Sequence, residues 1–197
     1  YPIFVLCGVL PWLFFANSVS VAATSLVDNA AVVRRAYFPR IIYPSAPIFI
    51  HLGDMVISLG LLAILMLFYG CWPDAKIVFL PFLVIQASLL TWGVGFFASA
   101  LNVRYRDIGF LLPFLIQAGF FVSPVGFSSS LVPEKWRLLY ALNPMAGLID
   151  AFRWCLLGGD VSIYWTGYWI SVTLSLAVFA AGVVFFIKNE RTFLDIL

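Results

Sequence analysis

Charge is what this 197-residue chain has least of: only 10% of its residues are Asp, Glu, Lys or Arg, and a single histidine is present. Soluble domains carry about 25% charged residues and roughly 45–50% apolar ones. Here 63% are hydrophobic and the mean hydropathy is +1.06. So few charges do not cover a water-exposed surface, which excludes a soluble enzyme and points to an all-α, polytopic membrane bundle. A net charge of +2 gives no reason to expect a nucleic-acid partner.

Cysteine is scarce as well. Cys7, Cys71 and Cys155 form no C-x-x-C and have no His cluster nearby, which argues against a disulfide framework or a metal site. They read as small apolar packing residues, with a Cys71–Cys155 bridge as the alternative. No G-x-x-x-x-G-K-[ST] occurs, so the chain does not hold ATP by a P-loop, and any ATP that drives it binds a separate subunit. H-E-x-x-H, G-x-S-x-G and a paired-carboxylate arrangement in a loop are missing too. No internal repeat, inverted symmetry or soluble second domain is evident. There is no signal-peptide architecture. The chain opens on Tyr1, already inside an apolar run, and is expected to be the C-terminal portion of a longer protein.

What is present is long apolar stretches. About 20 residues of helix cross the ~30 Å hydrocarbon core, and five segments are expected to do so. They are Tyr1 to about Leu26, about Tyr43 to Gly70, Ile77 to Leu101, Ile108 to about Val122, and about Val161 to Ile187. The fourth is the shortest and stops at Ser123-Pro124. Arg34, Arg35 and Arg40 follow the first, Arg104 and Arg106 the third, and Lys188 and Arg191 the fifth, which puts seven of the eleven basic residues on one side. By the positive-inside rule that side is cytoplasmic. The C-terminus is then cytoplasmic, the N-terminus outside, and one further upstream span completes six.

Five groups of residues carry information beyond hydropathy. The loop 28–40 is expected to begin as a short helix capped near Asp28 or Asn29 and to end before Pro39. It sets Arg34, Arg35 and Arg40 beside Tyr37 and Phe38, which suits either anionic lipid headgroups or docking to a cytoplasmic partner. The turn Asn102-Val-Arg-Tyr-Arg-Asp-Ile108 offers local pairing among Arg104, Arg106 and Asp107. The outer segment 123–160 is too long for a tight turn and too apolar for a solvated loop. Its Pro133–Leu142 stretch reads as a short amphipathic helix. Asn143 as N-cap and Pro144 at the first position start a second helix, on which Asp150 and Arg153 share a face. His51 and Asp54 are the ionisable residues that interrupt a span, either a mutual hydrogen-bonded pair or a proton-coupling site. Finally, Trp12, Phe14, Phe15, Phe114, Phe120 and Phe121 sit within spans or near their ends. Their rings suit either packing or weak stacking on the C–H faces of sugars.

Read together, Tyr1-Pro-Ile-Phe-Val-Leu-Cys-Gly through Pro11-Trp-Leu-Phe-Phe-Ala-Asn17, Tyr37-Phe-Pro-Arg40, Asn102-Val-Arg-Tyr-Arg-Asp107 and Ser123-Pro-Val125 resemble bacterial polysaccharide-export ABC permeases of the type-2 exporter class. Asn143-Pro-Met-Ala-Gly-Leu-Ile-Asp-Ala-Phe-Arg-Trp154 and Glu190-Arg-Thr-Phe-Leu-Asp-Ile196 are similar as well, so the likeness runs over essentially the whole chain. Such permeases export O-antigen, capsule or teichoic acid chains across the bacterial inner membrane. The resemblance implies a single permease domain over 1–197, a homodimer, and two ATP-binding cassette subunits that hold ATP and Mg, with no cofactor in this chain. It implies that 28–40 couples to the ATPase through Arg34, Arg35, Phe38, Pro39 and Arg40. It also implies that 124–160 forms re-entrant outer-gate helices containing Pro124, Asn143, Pro144, Asp150, Arg153 and Trp154. Asp150 and Leu194 stand where Glu and Ala are more usual in the family, and the family's N-terminal interface helix and first span have no counterpart here. The alternatives are a permease of this type for a lipid or drug, a membrane-embedded glycosyl- or acyltransferase, and a proton-coupled carrier.

Overall fold

The computed structural model describes residues 2–35, 39–70, 75–129, 132–158, 163–190 and 193, with backbone alone at Arg34, Arg35 and Glu134. Among these residues the regular structure is entirely helical. Helix α1 (Pro2–Asp28) runs 27 residues without a charge until its last position, carries Pro11 in its interior, and is followed after Asn29 by the short α2 (Ala30–Arg35). Helix α3 (Ile42–Phe68) returns; a 3₁₀ turn at Ala75–Phe79 leads into α4 (Leu80–Arg104), and α5 (Ile108–Val122) follows. Two short helices, α6 (Glu134–Tyr140) and α7 (Pro144–Leu157), precede α8 (Trp165–Asn189). Gly158 closes α7 with φ of 60°, a conformation glycine adopts without a Cβ penalty.

Four stretches, Pro2–Asp28, Ile42–Phe68, Ala75–Arg104 and Trp165–Asn189, are long and apolar enough to cross a membrane. Helix α5 is as apolar, but its 15 residues rise only about 22 Å, short of the ~30 Å hydrocarbon core.

The bundle is built around α1 and α4. Helix α1 packs on α3, α4 and α7, and α4 packs on α8. The α4–α8 seam is a backbone-to-backbone approach: a Cβ on Gly182 would stand 2.1 Å from the carbonyl oxygen of Gly93, and one on Gly93 would stand 2.6 Å from the Phe179 nitrogen. Small residues permit such proximity where lipid supplies no hydrophobic force to press helices together. Helix α3 buries only Pro44, Pro47, Ile48, Met55, Leu62 and Met66, and the rest of its surface is mostly bare apolar side chain.

Chain direction gives the bundle two ends. The starts of α1, α4 and α8 lie with α7, and the ends of α1, α4 and α8 lie with α2. The first is called the Pro2 end below, the second the Asp28 end.

Candidate functional site

At the Pro2 end, local sequence signals set up α7. Asn143 accepts a hydrogen bond from the Met145 amide at 3.0 Å through its side-chain oxygen, and Pro144 occupies the first turn. The amide of Asn143 also donates to the Ser123 hydroxyl at 2.9 Å, tying the start of α7 to the end of α5. The Pro144 carbonyl accepts from Ser171 of α8, whose hydroxyl in turn accepts from Gln86 of α4 at 3.2 Å. Three helices therefore meet at the α7 N-terminus.

Arg153, one turn before the end of α7, is 1% exposed. Its Nη2 donates to the Val125 carbonyl at 2.7 Å, Nη1 to Phe127 at 2.8 Å and Nε to Phe4 at 3.3 Å, while the guanidinium lies 3.9 Å from the Phe4 ring centroid. The planar fork of arginine suits this set of acceptors, and lysine does not reproduce it. Gly8 of α1 makes room, since a Cβ there would stand 2.7 Å from Nη2. The expected Asp150–Arg153 pairing exists but is long, 3.9 Å, and secondary to the carbonyls. Pro124, which precedes Val125, is buried. Trp154, on the next position, packs between Phe79 at 5.8 Å and Trp165 at 5.4 Å, with the Lys76 ammonium 5.3 Å above its ring. The Cys155 thiol donates to the Lys76 carbonyl at 3.1 Å.

Burial pushes the Cys155 thiol up to about 11, raises the Tyr140 hydroxyl, and raises the Asp150 carboxyl despite the lowering effects of its Ser129 hydrogen bond and of Arg153. Each shift favours the uncharged form. These three groups are thereby favoured as neutral hydrogen-bonding groups.

The side chains of Arg34 and Arg35, and Phe38 and Cys71 entirely, lie outside the described residues. The exposed Pro39 and the partly buried Arg40 are described. Arg40 donates from Nη1 to the Glu190 carbonyl, placing a cation where the α8 dipole is negative. Val33 of α2 is buried with Leu26, Phe96, Val103, Phe186 and Phe193 in one apolar cluster. Phe186 stacks against Phe96 at 5.6 Å and Phe193 at 5.4 Å. The loop 28–40 thus joins the ends of α1, α4 and α8.

Of the turn 102–108, Arg104, Arg106 and Asp107 are exposed, with Arg104 over the Tyr105 ring at 5.5 Å, and no ion pair links the three among the described residues. The residue that organises the turn is Asn102. It is buried, donates to the Ala23 carbonyl at 3.0 Å and accepts from the Gly109 amide at 2.9 Å, so it joins α1, α4 and α5. The sequence signal was available: an amide placed at the end of an apolar helix, where burial without partners is costly.

The six aromatic candidates do not share one surface. Trp12 lies 5.7 Å from Phe15 and 5.9 Å from Phe120, and Phe120 lies 5.6 Å from Phe121, a continuous aromatic run between α1 and α5. Phe114 and Phe121 project outward, 71% and 72% exposed, on a helix whose single buried residue is Leu112. Phe14 faces the other way and is buried beside α3, apart from this run.

The sequence profile of the ABC-2 type transporter family matches residues 2–157. This chain belongs to that family. Among curated relatives of this ABC-2 chain are three called O-antigen export system permease protein RfbA. One, from Myxococcus xanthus, is 30% identical over 155 residues, 78% of this chain and 60% of that protein. Two from Klebsiella pneumoniae are 26% identical over 204 residues and 25% identical over 186, covering 100% and 91% of this chain and 76% and 71% of theirs. The ABC-2 chain thus spans about 60% of the Myxococcus protein's length. Family and apolar helices together make it a multi-pass membrane protein.

One polar feature of this ABC-2 chain lies mid-helix. His51 and Asp54 of α3 approach to 3.2 Å and, with Asn17 and Ser58, line a recess of about 110 Å³ against α1.

Proposed function

We propose that this chain is the membrane-spanning subunit of an ATP-driven exporter that moves a lipid-linked polysaccharide across the bacterial inner membrane. Two copies enclose the channel, and two separate ATP-binding cassette subunits, holding ATP and Mg, dock on the loops of the Asp28 end. The observation that carries the reading is the alignment of the whole chain with a permease whose name is O-antigen export. Family membership alone fits a lipid or drug cargo equally well; the relatives' names favour a polysaccharide.

The geometry supports a mechanism. A glycan longer than the bilayer is thick does not fit a closed cavity and be released whole, so a continuous channel filled processively is the physically sensible path. Bare aromatic rings on α5 offer stacking faces that hold a repeating chain weakly enough for it to slide. Helix α1 connects the two ends: its last turn is fixed to α2 through the Leu26–Val33 cluster, and its first turns are fixed to α7 through Arg153. A push on 28–40 by the ATPase would therefore tilt α1 and move the outer helices with it.

In this reading α5 is also a span, the fourth of five in this chain, and the segment 124–160 is re-entrant. Helix α5 begins at the Asp28 end, bound through Gly109 to Asn102, and a Cβ on its Gly119 would stand 3.0 Å from the Trp12 ring, only midway along α1. Val125 is then level with Gly8, inside the apolar length of α1. Irregular backbone at such depth is tolerated where protein covers it, and Arg153 satisfies its carbonyls. The arginine-rich Asp28 end is cytoplasmic, as is the C-terminus.

Deleting the gene in its host should abolish surface polysaccharide and leave lipid-linked glycan accumulating inside, with full-length protein restoring export. Unchanged surface glycan in the deletion strain would remove the proposal.

A further inference from the structure

We propose that the recess between α6, α7 and the start of α8 is a binding site for one neutral pyranose residue. The site rests on the export reading for its biological source of sugar, but on its own geometry for its chemistry.

The recess has a volume of about 230 Å³ and is walled by Ser129, Arg137, Tyr140, Asp150, Tyr164 and Tyr168. It exists because α7 and α8 approach closely: a Cβ on Gly147 would stand 2.6 Å from the Ser171 Cβ and 3.2 Å from the Gly167 carbonyl oxygen. Gly167 in turn leaves room for the ring of Tyr164, three residues back on the same segment, since a Cβ there would stand 2.6 Å from it. Tyr164 and Tyr168 therefore stand against the polar face of α7.

Two observations call for a ligand. The Tyr140 hydroxyl is buried and has no hydrogen-bond partner among the described residues. An unpaired buried hydroxyl is costly and needs an explanation. Beside it, the Asp150 side chain is only 18% exposed, and its carboxyl is hydrogen-bonded by Ser129, with Arg153 at the long distance of 3.9 Å. It retains acceptor capacity toward the recess. At the rim the Arg137 guanidinium lies 5.6 Å from the Tyr164 ring centroid, so its donors are held in place.

A sugar matches this set. Its hydroxyls both donate and accept, which pairs the Asp150 carboxyl, the Tyr140 hydroxyl and the Arg137 guanidinium, and its C–H face covers a tyrosine ring. An aliphatic ligand would leave Tyr140 and Asp150 unpaired, and an anionic one would either face the Asp150 carboxylate or force its protonation, a cost a neutral ring does not meet. The volume lies below the roughly 300–1,000 Å³ of sites that enclose drug-sized ligands, so it suits one ring and not an oligosaccharide. The recess adjoins Asn143–Trp154, the segment the exporting chain would pass.

The test is saturation-transfer NMR on the full-length permease with its ATPase partner in nanodiscs. The probes are the methyl α-pyranosides of glucose, mannose and galactose, with glucuronate as the anionic comparison. At least one neutral pyranoside should receive saturation. Tyr140→Phe, which keeps the ring, and Asp150→Asn should each weaken it about fivefold to tenfold, the size of one lost hydrogen bond. Absence of transfer to every neutral pyranoside, transfer to glucuronate of equal strength, or retention of binding in both variants as folded proteins would overturn the site. Binding requires no ATP, so the two claims fail separately. Wild-type export with no saturation transfer removes the site alone, and saturation without export removes the functional reading alone.

Discussion

Arg153 on α7 reaches across to Phe4 on α1, donating to its carbonyl at 3.3 Å while stacking 3.9 Å over its ring. The same guanidinium caps Val125 and Phe127 in the turn after α5. One side chain therefore fixes three separate segments at the Pro2 end, so that a movement of α1 there is passed to α7 and to the turn after α5.

Replacing Arg153 with Met should leave three carbonyls without their donor in a buried site, costing about 3 kcal/mol or more. Arg153→Lys should fall between Met and wild type, because an ammonium lacks the planar fork. Size-exclusion chromatography after heating would read this as a loss of monodisperse protein at lower temperature. Equal thermal stability of the Met variant would contradict the assignment.

Asn102→Ala should destabilise by about 2 kcal/mol, two hydrogen bonds at roughly 1 kcal/mol each, whereas Arg104→Ala, on an exposed side chain, should stay within about 0.5 kcal/mol. The same heating assay separates them. A larger loss from Arg104 would place the structural weight of the turn on its charges.

The aromatic residues should divide by burial. Trp12→Ala and Phe14→Ala remove core side chains and should cost about 3–5 kcal/mol. Phe114→Ala and Phe121→Ala remove exposed ones and should leave stability within about 0.5 kcal/mol while lowering export. Surface glycan measured at matched protein levels gives the second readout. Full export by the Phe114/Phe121 double variant would take α5 off the path.

Charge reversal of Arg34 and Arg35 together should uncouple ATP hydrolysis from export while the protein still inserts. A coupling of 1–3 kcal/mol predicts roughly a fivefold to 150-fold loss of export per ATP hydrolysed. Parallel assays of phosphate release and surface glycan check it. Unimpaired export by the double variant would place coupling elsewhere.

How much of this was legible beforehand follows from the range of each interaction. The α7 start was readable because Asn143 and Pro144 act on their own helix. The short α5 was readable from its apolar run ending at Ser123-Pro124. Trp12 and Phe14 were separable by spacing alone, since two helical positions turn about 200° and cannot share a face. Arg153 was not readable in its role, because Phe4 lies 149 residues away. For Asn102 the sequence marks a buried amide that needs partners, but not that Ala23, 79 residues away, supplies one. Local periodicity offered Asp150 as the obvious partner of Arg153. The fold instead gives its guanidinium to backbone carbonyls that no sequence pattern marks.

The central claim is that this chain, with its ATPase partner, conducts a polysaccharide through the membrane. Its most direct test uses the full-length complex in proteoliposomes with lipid-linked glycan and ATP on the outer, cytoplasm-equivalent face, and measures glycan protected in the lumen from an added glycosidase. ATP-dependent lumenal glycan, absent with a non-hydrolysable analogue, is the predicted result. Glycan that stays fully digestible with ATP present, or that crosses equally well without it, would contradict the account.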